Sequence, residues 1–350
     1  MRFELSEDQT LLRESTRDFF ASEWPIEKAR KVMEQDQRGY DADGWGRLAE
    51  MGYLGLSLPA SVGGQGLGAI ELSVVLEEMG RACVPGPYLD VVLAADLLRA
   101  AGGQDALLTA IAGGTKIVPI ARDDSPFAGT AGKAVRVTRG KVQGSKYFVP
   151  FAASADALLV TSAKAVYLVD APFDVTPLAT FDLAQRFAQV KLNHPGTEVG
   201  PVSLLERTDQ LAAIGAAAML LGTMSRALDM TLDYVRTRQT FGRPIGSFQA
   251  LQHRLGDMLL KTESTRSAVY RAAWCFDNAD PETALAAAAA KGYAGDAARL
   301  VCGEAIQMHG GIGFTWELDL HCYFKRAKTL EQHYGSTEVV LERALQAAGF

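Results

Sequence analysis

Apolar positions recur at helical spacing through the first third of the chain. From Ser6 to about Trp24, Leu11, Leu12, Phe19 and Phe20 fall on one broad face. Ser6 followed by Gln9 has the spacing of a capping box, and Pro25 suits a break. A second helix is predicted from about Asp43 to Met51, stopped by Gly52. The Pro and Gly density of Leu56–Gly66 predicts a loop. Ala69–Cys83 carries Leu72, Val75, Leu76 and Met79 at helical spacing, and Pro85 and Pro87 end it. Another helix covers about Asp90–Ala101, and a further one lies between Gly102-Gly103 and Gly113-Gly114. Residues 1–113 are therefore expected to form an N-terminal helical domain.

The period changes at Thr115. Short apolar or alternating runs follow at Lys116–Ala121, Ala134–Thr138, Lys146–Val149, Ala157–Thr161 and Ala165–Val169. Gly, Pro, Asp or Ser residues separate them, roughly every 10 residues, which is strand punctuation. No helical segment alternates with these runs, so a parallel βαβ sheet is not expected. A small β-barrel or sandwich over residues 114–203 is.

Helical spacing returns near Glu206. Asp209–Thr237 is rich in Ala, Leu and Met, and reads as deeply buried. Gly242, Pro244 and Gly246 interrupt it. Ser247 to about Asn278 sets Leu251, Leu255, Met258 and Leu259 on one face. Pro281 to about Gln307, Leu320–Arg326 and Thr337–Ala348 complete a C-terminal four-helix bundle over residues 204–350. The fold class is mainly α with a central β domain.

Composition narrows the function classes. The chain has 350 residues, 48% hydrophobic and 22% charged, which supplies a large core. A net charge of −6 offers no basic field for nucleic acid or anionic membrane. Cys83, Cys275, Cys302 and Cys322 lack metal-type spacing and read as buried thiols in a reducing compartment. Acids in Met1–Asp8 stand where a signal peptide needs an apolar core. The alanine-rich run Ala284–Ala290 is followed by Lys291, and no apolar run is expected to span a bilayer. A cytoplasmic location is expected.

Gln307-Met308-His309-Gly310-Gly311-Ile312-Gly313-Phe314-Thr315 is the stretch with candidate chemistry. A helix leads into it, and a glutamine stands three residues before a Gly-Gly pair. Glycines let a backbone approach a ligand closely, which suits a pyrophosphate or a flavin edge. A helix C-cap followed by a turn gives the same pattern.

Three stretches together resemble the acyl-CoA dehydrogenase family. They are Arg236–Ile245 with Gln249, Gln307–Thr315 with Trp316–His321, and Pro59 with Gly63-Gly64-Gln65-Gly66. The likeness covers nearly the whole chain and its domain order. It implies an FAD-dependent enzyme whose flavin lies across a subunit interface. Arg238 would then meet the pyrophosphate, Thr240 and Gln249 would add neutral hydrogen bonds, and Phe241 would pack on the flavin or adenine. Gln307, Gly310 and Gly311 would present polar and backbone groups. The expected substrate is an acyl-CoA, and the expected acceptor an electron-transfer flavoprotein or similar protein.

The chain departs from that family where the chemistry sits. The reaction needs a carboxylate to take the α proton. One family position for it corresponds to Tyr334 here and the other to about Ala213. Glu331 is the nearest acid, one turn before Tyr334; it is either an alternative base or a solvated side chain. The middle-domain Thr-Glu-Pro stretch corresponds to Pro119–Pro126, and the Trp-Ile-Thr strand to Phe148-Val149-Pro150. Proline offers neither hydroxyl nor N–H. The chain is thus similar to the non-catalytic (beta-type) subunit of heterotetrameric acyl-CoA dehydrogenases of bacterial steroid side-chain catabolism. That likeness implies a second subunit with an intact catalytic acid. A self-sufficient homomeric dehydrogenase or related flavin oxidase or monooxygenase, and a structural subunit that touches no flavin, are the alternatives.

Overall fold

The computed structural model describes residues 4–127 and 132–349. Residues 1–3 and 350, which hold the start of the acidic N-terminal stretch and the outer bounds of the first and last predicted domains, lie outside them. In chain order the helices α1 (Glu7–Glu23), α2 (Ile26–Gln35), α3 (Ala42–Glu50), α4 (Ala69–Arg81), α5 (Tyr88–Ala101) and α6 (Asp105–Ala112) come first. Strands β1 (Ile120–Ala121), β2 (Arg136–Thr138), β3 (Lys141–Pro150), β4 (Ala157–Thr161), β5 (Ala165–Asp170), β6 (Asp174–Leu178), β7 (Phe187–Pro195) and β8 (Thr197–Pro201) follow. Helix α7 (Leu204–Thr237) leads into the short strands β9 (Gln239–Thr240) and β10 (Arg243–Pro244). Helices α8 (Gln249–Asp277), α9 (Thr283–His309), α10 (Leu320–Gln332) and α11 (Thr337–Ala347) come last. The chain folds into two units: residues 1–29, 69–84 and 210–350 form one, and residues 30–68 and 85–209 the other.

In the first unit, local signals set the helix ends. Ser6 and Gln9 form the expected capping box on α1. Helix α4 is capped from far away: both Asp277 carboxylate oxygens accept from its first amides, Ala69 N–H at 2.6 Å and Ile70 N–H at 3.1 Å. A carboxylate at a helix N-terminus also opposes the helix dipole favourably. Two glutamates are buried on α4, and each is paired. Glu78 takes a forked bond from Arg17 of α1, and Glu77 accepts from Arg266 and from the Tyr270 hydroxyl of α8. A buried carboxylate needs such partners.

Helices α4 and α7 touch through backbone. A Cβ on Gly80 would strike the Met219 carbonyl, and one on Gly222 would strike the Glu77 carbonyl, both inside the 3.0 Å that real Cβ atoms keep. Residues 211–225 of α7 are all buried. This corrects one sequence expectation. Val202–Thr237 is long and apolar enough to cross a membrane, but 89% of its most apolar window is buried inside the protein, as in a core helix. Helix α8 brings a second correction. Met258, Thr262, Thr265 and Val269 face inward, while Leu259 and Leu260 are 52% and 65% exposed. All four cysteines are buried free thiols, and burial pushes Cys302 up to about 12.

The second unit holds the β layer. One sheet runs β1-β4-β5-β8 and the other β2-β3-β7-β6. Among the described residues, only β1 and β4 pair in parallel. The core lies between the sheets, with Val142, Val149 and Val190 from one and Leu158, Val160 and Val169 from the other. Strands β6 to β8 do not stand out in the sequence. Strand β7 buries only alternate residues, Ala188, Val190 and Leu192, among polar neighbours.

Gly222→Ala is expected to lower unfolding stability by about 3 kcal/mol, because the helices must separate to admit the methyl group. Gly256→Ala, on α8 with nothing within 4 Å of its Cβ, should instead be neutral or gain up to about 1 kcal/mol from helix propensity. Urea midpoints of the two variants check the contrast.

Candidate functional site

The Arg238 segment is a tight hairpin on the end of α7. Strands β9 and β10 pair antiparallel, Arg243 opposite Thr240. Their turn is Phe241-Gly242, with φ of +56° and +76°. Positive φ at both central residues gives the twist that joins short antiparallel strands. Glycine takes that conformation freely, whereas phenylalanine is strained in it. The hairpin is anchored by Arg238 N–H to the Tyr234 carbonyl and by Ile245 N–H to the Arg238 carbonyl, each 2.8 Å. Phe241 is 90% exposed. Arg243 lies over the Phe248 ring at 4.2 Å. The side chains of Arg238, Thr240 and Gln249 are exposed and make no hydrogen bond or ion pair with the described residues.

The Gln307 segment ends α9. Gly310 has φ +63° and ψ −142°, a conformation that side-chain-bearing residues avoid. Its N–H caps the helix by donating to the Gln307 carbonyl. A Cβ at Gly310 or Gly311 would meet nothing within 4 Å, so both border open space. Gln307 is exposed, and Phe314 and Trp316 beyond it are exposed aromatics.

The structure brings these two segments together. The Tyr234 and His309 rings stack at 4.2 Å and 24°, and the Tyr234 hydroxyl donates to the His309 carbonyl at 3.4 Å. His309 is buried, and its Nδ1–H donates to the Ala305 carbonyl at 2.7 Å. Burial pulls its pKa down, against the opposing effect of the Ala305 hydrogen bond. Arg254 ties the start of α8 to Glu304 on α9 at 2.9 Å. Arg238, Thr240, Phe241, Gln249, Gln307, Gly310 and Gly311 therefore all belong to segments at one tied end of the bundle.

Tyr334 sits in the turn between α10 and α11 with φ +65°, its ring 3.9 Å from that of His333. Ala213, at the other position for a base, is buried in α7. Glu331 is not a solvated side chain, the second of the two roles its sequence position allows. It is 6% exposed, with Oε2 at 2.6 Å from Lys328 Nζ and Oε1 at 3.5 Å from Arg299 Nε. Beneath it lies Lys291, to which the sequence alone assigns no role. Its one signal there is a lone lysine in an alanine-rich helix. Lys291 is fully buried and donates to the Glu331 carbonyl at 3.0 Å and the Gly335 carbonyl at 2.9 Å, bracketing Tyr334. Burial lowers its pKa to about 8, with the Glu331 charge opposing.

In the other unit, the Pro119–Pro126 stretch, which stands where the family has Thr-Glu-Pro, carries ion pairs. Arg122 pairs with Asp209. Lys146, fully buried, meets Asp124 at 2.7 Å, the Arg122 carbonyl at 2.7 Å and the Thr161 hydroxyl at 2.9 Å. Pro150 is buried at the end of β3. The strand shifts register between Lys146 and Val149.

The Lys291 geometry fixes a pH dependence. Its pKa is about 8 in the folded chain and near 10.5 when unfolded. Between those values the unfolded state holds one more proton, so folding stability rises with pH and falls as pH drops back through 8. Relative to Lys291→Met, the wild-type chain should gain about 2 kcal/mol between about pH 7.5 and 9.5. Paired urea titrations at the two pH values measure it, and the subtraction cancels the other titrating groups.

Comparison with known proteins agrees with this architecture. Residues 6–106 match the acyl-CoA dehydrogenase N-terminal domain, and residues 207–349 match the acyl-CoA dehydrogenase C-terminal domain. The chain is 35% identical to acyl-CoA dehydrogenase IpdE2 of Mycolicibacterium smegmatis, over 97% of this chain and 98% of that one. Among solved structures, it is similar to a chain of the ChsE4-ChsE5 complex from Mycobacterium tuberculosis, with TM-score 0.90 and 30% identity over 100% of this chain and 99% of that one. It also resembles a chain of the Tcur3481-Tcur3483 steroid ACAD, with TM-score 0.90 and 29% identity over 98% of each. On the helix–sheet–helix order, the paired loops and these full-length matches, the chain belongs to the acyl-CoA dehydrogenase family.

Proposed function

We propose that this chain is the flavin-clasping, non-catalytic subunit of a heteromeric acyl-CoA dehydrogenase acting on a bulky, steroid-type acyl-CoA. FAD, the cofactor of the family, supplies the hydride acceptor for α,β-dehydrogenation when bound. One contrast carries the proposal. The side chains of Arg238, Thr240, Gln249 and Gln307, expected to reach a neighbour's FAD, are exposed and make no hydrogen bond or ion pair with the described residues, while the positions expected to serve this chain's own site are filled.

The exposed set fits the dinucleotide. Arg238 presents a guanidinium with no carboxylate partner among the described residues, which suits a pyrophosphate. Gly310 and Gly311 border open space that would admit the ligand. Thr240, Gln249 and Gln307 add neutral donors. Phe241 supplies an aromatic face that gains from being covered.

The filled set argues against proton abstraction here. Tyr334 is a poor base, since a phenol ordinarily titrates near 10. Both Glu331 carboxylate oxygens face cations, which hold it as a structural anchor. Pro150 cannot donate a hydrogen bond. The α proton would be taken by a carboxylate on the partner, and electrons would pass to an electron-transfer flavoprotein or a similar acceptor.

A partner also answers the exposed apolar side chains of α8 and α9, Leu259, Leu260, Tyr293 and Leu300. The ChsE4-ChsE5 and Tcur3481-Tcur3483 structures, each named for two components, support the heteromeric reading, and the second supports the steroid class. A cytoplasmic location accords with the proposal.

Purified alone, the chain should carry little FAD and oxidise no acyl-CoA with a dye acceptor. In the assembly recovered from its own cells through a tag, Arg238→Ala should weaken FAD binding about 10- to 100-fold, the worth of a charged hydrogen bond. Flavin fluorescence during graded FAD addition reads the change. Stoichiometric FAD with full activity in the isolated chain would overturn the proposal.

A further inference from the structure

We infer that Tyr234 and His309 form a positioning pair, which sets the Arg238 hairpin and the Gly310-Gly311 turn at the spacing one ligand requires. The inference rests on the flavin-clasp proposal. The two loops leave different helices, and their exposed side chains make no tie to each other. Their spacing is therefore fixed by what lies beneath them. Tyr234 stands one helical turn before Arg238, and its carbonyl receives the Arg238 N–H at 2.8 Å. His309 directly precedes Gly310. Displacing either ring moves the root of its loop.

Three features suit the pair to this task. The rings stack with 24° between their planes, and His309 is 4% exposed, so the contact is packed rather than a surface touch. The Nδ1–H bond to the Ala305 carbonyl fixes the ring's orientation and tautomer. The Tyr234 hydroxyl donates to the His309 carbonyl, at the junction between α9 and the Gly310-Gly311 turn. The Arg254–Glu304 bond, a second tie at this end, is half exposed and holds less firmly. Neither Tyr234 nor His309 is expected to touch FAD, so both act through the loops.

The test is a double-mutant cycle on FAD affinity in the tagged assembly. Tyr234→Ala should weaken FAD binding about tenfold when Arg238 is present, but less than about twofold in the Arg238→Ala background, where the contact it positions is gone. Tyr234→Phe keeps the stack and should restore affinity to within about threefold. Tyr234→Leu fills the same space without stacking, and takes the place of Tyr234→Ala if that variant fails to fold. A purely structural role would move thermal stability and FAD affinity equally in both backgrounds, and that outcome overturns the pair. No effect of Arg238→Ala on affinity would instead overturn the clasp proposal beneath it.

Discussion

Helix α7 can do its work only because two glycines let α4 lie against it backbone to backbone. Gly80 and Gly222 remove the side chains that would hold the helices apart, and the carbonyls of Met219 and Glu77 fill that space. Close approach of this kind is intolerant of growth, since packed interiors do not deform to accept a methyl group. Along the same helix, residues 211–225 are buried without a break. With its middle held this tightly, α7 presents its last turn in a fixed place, and the Arg238 hairpin starts from there. The Tyr234 stack on His309 then relates that hairpin to the end of α9.

Cations in the interior and at the surface of the chain meet different surroundings. Cations in the interior are answered. Lys146 meets Asp124, Lys291 meets two carbonyls beside Glu331, and Arg266 meets Glu77. Each arrangement obeys the rule that a buried charge must be compensated. Arg238 does not follow the pattern. It is exposed at the base of the hairpin whose strained turn carries the nearly bare Phe241, with no acid to meet it among the described residues.

Signals of short range were legible in the sequence. The Ser6–Gln9 box, the proline and glycine breaks, the helix–sheet–helix order and the two loop motifs all depend on neighbours a few residues apart. What stayed hidden depends on tertiary placement. Glu331 reads as solvated until Lys291, 40 residues earlier, Arg299 and Lys328 are set around its backbone and carboxylate. The Tyr234–His309 contact spans 75 positions and has no periodic trace. Leu259 reads as core beside Met258 because helical spacing marks an apolar stripe, not what covers it. Strand β7 was obscured because it buries one face only, with alanine among its inward residues.

Helix α4 buries Glu77, whose partner Arg266 lies 189 residues further along the chain. Ribosomes add roughly 5–20 residues per second, so that partner is made about 10–40 s later. Through that interval α4 has an unfilled backbone notch at Gly80, and Glu77 is without the arginine that it meets in the folded chain. The β layer, which falls between them in sequence, is complete by residue 201, before any of α7 exists. Synthesis therefore delivers the sheets first and closes the discontinuous helical unit last. The elements that carry Arg238 and Gly310 take their final positions only when the chain is nearly finished.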